Sequence, residues 1–78
     1  MSKLPDLSSQ QVISGHCGKA GFIYAPKRGK GSHVALYRTV AGKTRLVIVP
    51  KRKDLPLGTL RAIIEQSGFT PAEFLDLL

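Results

Sequence analysis

Three β-rich runs joined by short turn segments constrain this chain more than any other feature. Phe22-Ile23-Tyr24-Ala25 stops at Pro26, Ser32 to Arg38 alternates His33, Ala35 and Tyr37 with Val34 and Leu36, and Thr44 to Val49 ends at Pro50. Between them lie a basic loop with two glycines, Lys27-Arg28-Gly29-Lys30-Gly31, and a short turn, Val40-Ala41-Gly42-Lys43. Connections of this length suit hairpins, so the strands form an antiparallel meander. The flanks follow helical rules. Ser8, three positions before Gln11, makes a capping box that opens a helix over about Ser9 to Lys19, with Val12, Ile13, Cys17 and Ala20 as its apolar positions. Gly15 and Gly18 each weaken it by up to about 1 kcal/mol, so it depends on packing, and Gly21 closes it.

After the charged connection Lys51-Arg52-Lys53-Asp54-Leu55-Pro56, the positions Leu57, Leu60, Ile63 and Ile64 mark one face of a second helix over Leu57 to Ser67. Gly68 suits a left-handed stop, with Phe69 folding back on the helix. Thr70-Pro71-Ala72-Glu73 combines an N-cap, a proline at the first helical position and a glutamate at the third, and opens a short terminal helix. The order is αβββα plus that helix, an α+β fold with its helices on one face of a three-stranded antiparallel sheet.

With 78 residues, the chain holds one domain, residues 1–78, in which 1–7 read as a loose N-terminal arm. Twelve Lys and Arg against five Asp and Glu give a net charge of +7, and 42% of residues are apolar, too many for a disordered basic tail. The placement of charge is more informative than its sum. Residues 19–61 hold eleven basic residues and only Asp54, whereas residues 62–78 hold Glu65, Glu73 and Asp76 and no base. With no acidic residue between Lys19 and Lys53, a basic sheet surface points to a nucleic-acid ligand over a merely solvated face. A single cysteine, Cys17, rules out an internal disulfide framework and a zinc site of paired thiolates, and fits a reducing cytosol. No apolar run approaches the roughly 18 residues of a membrane span, and no signal-peptide core is present, so a cytoplasmic protein is expected.

Few residues can carry chemistry. Two histidines, one cysteine and scattered acids give no metal-ligand spacing, and no phosphate-cradling loop of the GxxxxGK[ST] kind is present, so no cofactor is expected. Cys17 reads as core packing and His16 as a surface or boundary residue. His33 stands apart because it opens a strand directly after Lys30-Gly31-Ser32, with Lys27, Arg28 and Lys30 in the loop and Arg38 along the strand. A histidine among cations can cleave an RNA phosphodiester without metal, by taking the 2′-hydroxyl proton while the cations balance charge on the phosphoryl oxygens. The bland alternative is a partly buried strand histidine bonded to a neighbour, and spacing alone does not decide between the two.

Gly31-Ser32-His33 with Tyr37-Arg38, then Val47-Ile48-Val49-Pro50, then Leu57-Gly58-Thr59-Leu60-Arg61-Ala62-Ile63-Ile64 and Gly68-Phe69, in this order, resemble the HicA (YcfA-like) toxins of type II toxin–antitoxin pairs. The likeness covers about residues 9–78. It implies a double-stranded-RNA-binding-domain-like fold, ribonuclease activity on mRNA, a catalytic histidine at His33, and a HicB-type antitoxin as partner. The resemblance also places a polar residue at Ile48, so Val47 and Val49 are expected inward, in a core with Val12, Ile13, Phe22, Val34, Leu36, Leu60, Ile63, Ile64 and Phe74. Two departures stand out. The loop between Phe22 and Gly31 is a couple of residues longer than is common in the family, and Lys51-Arg52-Lys53 stands where many members carry a second histidine.

The leading expectation is therefore an endoribonuclease toxin with His33 as its catalytic group. Its RNA contacts would come from Lys27, Arg28, Lys30, Gly31, Ser32, Arg38, Lys51 and Arg52. Two other readings remain: an RNA-binding module of the same fold without chemistry, and a protein-interaction domain using a strand edge with Leu46 or Ile48.

Overall fold

The computed structural model describes residues 4–25 and 31–78. Its elements are α1 (Ser9–Lys19), β1 (Ile23–Tyr24), β2 (His33–Val40), β3 (Lys43–Pro50), α2 (Leu57–Ser67) and α3 (Pro71–Leu75). The strands form one antiparallel sheet in the order β1-β2-β3. This is the αβββα layout of a double-stranded-RNA-binding domain with a short helix appended.

Local chemistry sets the helix ends. Ser8 and Gln11 exchange bonds at the start of α1, with the Gln11 N–H donating to Ser8 Oγ at 3.2 Å and the Ser8 N–H donating to Gln11 Oε1 at 2.9 Å. Thr70 and Glu73 repeat the device at α3. α2 ends as a Schellman motif: Gly68 takes φ +80°, its N–H donates to the Glu65 carbonyl, and the Phe69 N–H donates to the Ile64 carbonyl. Gly15, unfavourable to α1 on propensity, has a packing role, because a Cβ there would stand 3.1 Å from the Leu77 carbonyl oxygen.

The β2–β3 register pairs Val34 with Val49 and Leu36 with Val47, which puts all four on the helix-covered face. There they join Val12, Ile13, Phe22, Leu60, Ile63, Ile64 and Phe74 in one core. Val47 and Val49 are fully buried and Ile48 is half-buried, so β3 has the expected register. Val34 differs from expectation: it lies at the sheet's end and is only partly covered.

The strands also depart from their expected lengths. β1 has two residues, because Phe22 leaves the strand to bury its ring while its N–H donates to the His16 carbonyl. β2 and β3 run further toward each other than expected, leaving only Ala41-Gly42 to turn the chain, at φ 53° and 79°. Residues 4–7, expected within a loose arm, are docked instead. Leu7 is buried, Leu4 packs on the core, and the Leu55 N–H donates to the Leu7 carbonyl at 2.8 Å. Among the described residues no helix is long and apolar enough to cross a membrane.

Candidate catalytic and RNA-binding site

His33 is the first residue of β2, exposed and paired across the sheet with Pro50. Gly31, at φ +48°, turns the chain into the strand, a conformation that costs other residues strain. Beyond the Pro50 pair the Lys51 N–H donates to the Ser32 carbonyl at 2.7 Å, so Lys51 is fixed one step past the strand pairing. Gly31, His33 and Lys51 line a cavity of about 320 Å³ with Tyr24, Ala25, Val34 and Ala35. Ser32 Oγ lies 3.2 Å from His33 Nδ1. When Nδ1–H donates to that hydroxyl, Nε2 is left as the basic nitrogen.

The next residue, Arg52, is clamped by its backbone to the start of α1. Its N–H donates to Ser9 Oγ, and its carbonyl accepts from the Ser9 N–H at 2.9 Å and from the Ser9 hydroxyl at 3.1 Å. The Arg52 Nε donates to the Asp54 carbonyl at 3.3 Å, and Lys51, Arg52 and Lys53 are all exposed. The segment after Pro50 thus carries three adjacent cations on a pinned backbone beside His33.

Arg38 corrects the sequence reading. Five positions from His33 on the same strand, it faces the opposite side of the sheet. Its guanidinium lies 5.0 Å from the ring centre of Phe22 and 5.2 Å from that of Phe69, and donates to the Ala20 carbonyl at 2.9 Å. Arg38 therefore ties the end of α1 to the sheet and is not brought to the His33 cavity. Lys27, Arg28 and Lys30 lie outside the described residues.

His16 is a second correction: expected at the surface or boundary, it is fully buried among Phe22, Phe69 and Phe74. Burial, with the nearby Arg38 charge, pushes its pKa below the usual histidine value against the opposing pull of the Val12 carbonyl. Cys17 is half-buried, and burial pushes its thiol pKa up, away from nucleophile behaviour. A larger, mainly apolar cavity of about 750 Å³ lies between residues 4–6 and α2. Its polar lining comes from Asp6, Arg61 and Glu65, and it holds no histidine or lysine.

Sequence reasoning gave no role to Tyr24, which lines the His33 cavity while more than half exposed. Its place depends on how β1 pairs with β2, which local sequence does not encode.

The family model described as the HicA toxin of bacterial toxin–antitoxin systems matches residues 12–69, from within α1 to the residue after α2's glycine stop. A comparison with curated proteins gives no match.

Proposed function

The chain belongs to the HicA toxin family of bacterial toxin–antitoxin systems, and from that premise we propose that it is a metal-independent endoribonuclease acting on mRNA through His33. The observation that carries the reading is the exposed His33 in a cleft shared with Lys51, at the edge of the cationic segment 51–53. In the proposed reaction His33 Nε2 takes the proton of a ribose 2′-hydroxyl, with Ser32 holding Nδ1–H. The 2′ oxygen attacks the adjacent phosphorus, the bond to the 5′ oxygen breaks, and that oxygen takes a proton from water. Lys51 balances the charge that gathers on the phosphoryl oxygens. Lys51 thereby fills the position where many family members carry a second histidine, as an electrostatic group and not as a second base.

A toxin of this kind is silenced by covering the cleft. We assign that role to a HicB-type antitoxin whose acidic or polar surface meets Lys51, Arg52 and Lys53. The decisive experiment compares purified parent and His33→Ala on single-stranded RNA in EDTA. The parent should cleave and leave 2′,3′-cyclic phosphate ends. His33→Ala, altered at an exposed strand end, should stay folded and bind RNA but lose cleavage by about 10²-fold or more. Lys51→Arg should keep most activity and Lys51→Ala should lose about 10²-fold, as removal of an oxyanion-stabilising donor does. Equal cleavage by parent and His33→Ala would leave an RNA-binding module in place of the enzyme.

A further inference from the structure

We infer that the open face of the sheet is a track for single-stranded RNA, on which the Tyr37 ring stacks a base flanking the cleavage point. The inference rests on the reading of His33 as an RNA-cleaving group and adds to it the path and the form of the RNA that reaches it.

The strand register carries it. Leu36, Val47 and Val49 face the helices, so alternation sends His33, Ala35 and Tyr37 of β2 to the other side, with their β3 partners Pro50, Ile48 and Leu46. Ile23 of β1 pairs with Tyr37 and joins that face. It therefore presents His33 beside Pro50, then Ala35 beside Ile48, then Tyr37 between Ile23 and Leu46. His33 apart, none of these residues can carry a charge near neutral pH, although the chain has a net charge of +7. The cations Lys51, Arg52 and Lys53 follow Pro50, at the His33 end. Ile23 and Leu46 are 53% and 37% exposed, and Tyr37 and Ile48 are half-buried. Ala35, between His33 and Tyr37 on this face, is small, buried and part of the His33 cavity wall, so β2 raises no large side chain between that cavity and the Tyr37 ring.

An uncharged sheet face with an aromatic on it and cations at one end suits a single strand, whose bases lie on the face while its phosphates reach the cations. A duplex covers its base faces and gains nothing from Tyr37. Four residues of strand set Tyr37 about 13 Å from His33. The stacked base thus belongs to a neighbouring nucleotide, not to the one whose 2′-hydroxyl His33 deprotonates. Every base has a π-face, so selection among bases is modest and follows stacking strength.

The test uses probes that cannot be cleaved, so that it does not depend on activity. A labelled single-stranded octamer of deoxyadenosine and an abasic deoxyribose-phosphate chain of the same length are titrated by anisotropy with the parent, Tyr37→Phe and Tyr37→Leu. Thermal melts of the same samples check folding. The parent should prefer the base-bearing strand, and Tyr37→Phe should stay within about threefold of it. Tyr37→Leu, which keeps the apolar bulk but not the ring, should lose about tenfold to a hundredfold for the octamer and almost nothing for the abasic chain. A second measurement leaves Tyr37 in place. In Tyr24→Phe it is the one tyrosine of a chain without tryptophan, and its emission should be quenched by the octamer and not by the abasic chain. A folded Tyr37→Leu that keeps the parent's preference for the octamer, or Tyr37 emission indifferent to it, overturns the track and leaves this apolar face to a protein partner. That failure is separate from failure of the nuclease reading, because loss of cleavage in His33→Ala with no Tyr37 effect leaves an enzyme whose RNA arrives by another path. The converse, a Tyr37 effect with His33→Ala fully active, leaves an RNA-binding face without the proposed base.

Discussion

A neutral imidazole finds a polar partner for each ring nitrogen of His16 between α1 and α2. Nδ1–H donates to the Val12 carbonyl at 3.0 Å, and Nε2 lies 2.7 Å from Ser67 Oγ, whose proton also has the Ile63 carbonyl within 2.7 Å. Protonating the ring would turn Nε2 into a donor to Ser67 Oγ and leave a charge among three aromatic rings and near Arg38, with no acid to balance it among its described neighbours. The folded pKa is therefore below the unfolded value near 6.5, and between the two the unfolded chain holds a proton that the folded one does not. Stability is then complete above about pH 6.5 and falls as the pH drops toward the folded pKa, with a limiting slope for one proton of about 1.4 kcal/mol per pH unit. Urea unfolding between pH 5 and 7.5 should show stability falling below about pH 6.5 in the parent, and that fall lost in His16→Gln. An NMR titration of the His16 ring in the parent gives the same information if the variant fails to fold. A His16 ring that titrates at or above 6.5 would refute the assignment.

At the scale of elements, the parts legible from sequence are those whose cause is local. The limits of α1, α2 and α3 follow from Ser8-Gln11, Gly68 and Thr70-Glu73, each acting within a few residues of itself. Strand ends were less legible because they depend on pairing: β1 shrinks to two residues when Phe22 turns into the core, and β2 and β3 lengthen until two residues remain between them. That His33 opens β2 was legible from its loop. The face of Arg38 was available in the odd spacing from His33, which alternation along a strand sends to the other side. The place of Tyr24 was not available, since only the cross-strand register sets it opposite Leu36. The same logic makes two positions testable. Ala41 holds a left-handed φ of 53° that asparagine tolerates better, so Ala41→Asn should stabilise the hairpin by about 0.5–1 kcal/mol, a few degrees in Tm. Gly68→Ala should cost about 1–2 kcal/mol, since φ +80° strains alanine and its Cβ would stand 2.5 Å from the Arg45 guanidinium, which must move. Thermal unfolding of both variants checks these signs.

Over the whole molecule, the described cations include one that holds the fold and others that face solvent beside the cleft, a difference that the net charge of +7 conceals. Arg38 is of the first kind, stacked on Phe22 and Phe69 and bonded to the Ala20 carbonyl. Lys51 and Arg52 are of the second, exposed on a backbone clamped to Ser9. If the exposed set contacts phosphates, the affinity for single-stranded RNA falls with salt, with a log–log slope of about −0.7 for each phosphate neutralised. Lys51→Ala and Arg52→Ala should each make that slope shallower by about 0.7 and leave Tm nearly unchanged, because their side chains pack on little. Arg38→Ala should do the reverse: it loses a buried-side hydrogen bond and two cation–π contacts, lowering Tm by several degrees, and leaves the salt slope of the folded protein as it was. Measuring Kd at several salt concentrations for the three variants, with a melt of each, separates the two sets. A shallower slope in folded Arg38→Ala would place RNA on the helix-covered side of the sheet and remove the reason for locating the substrate at His33.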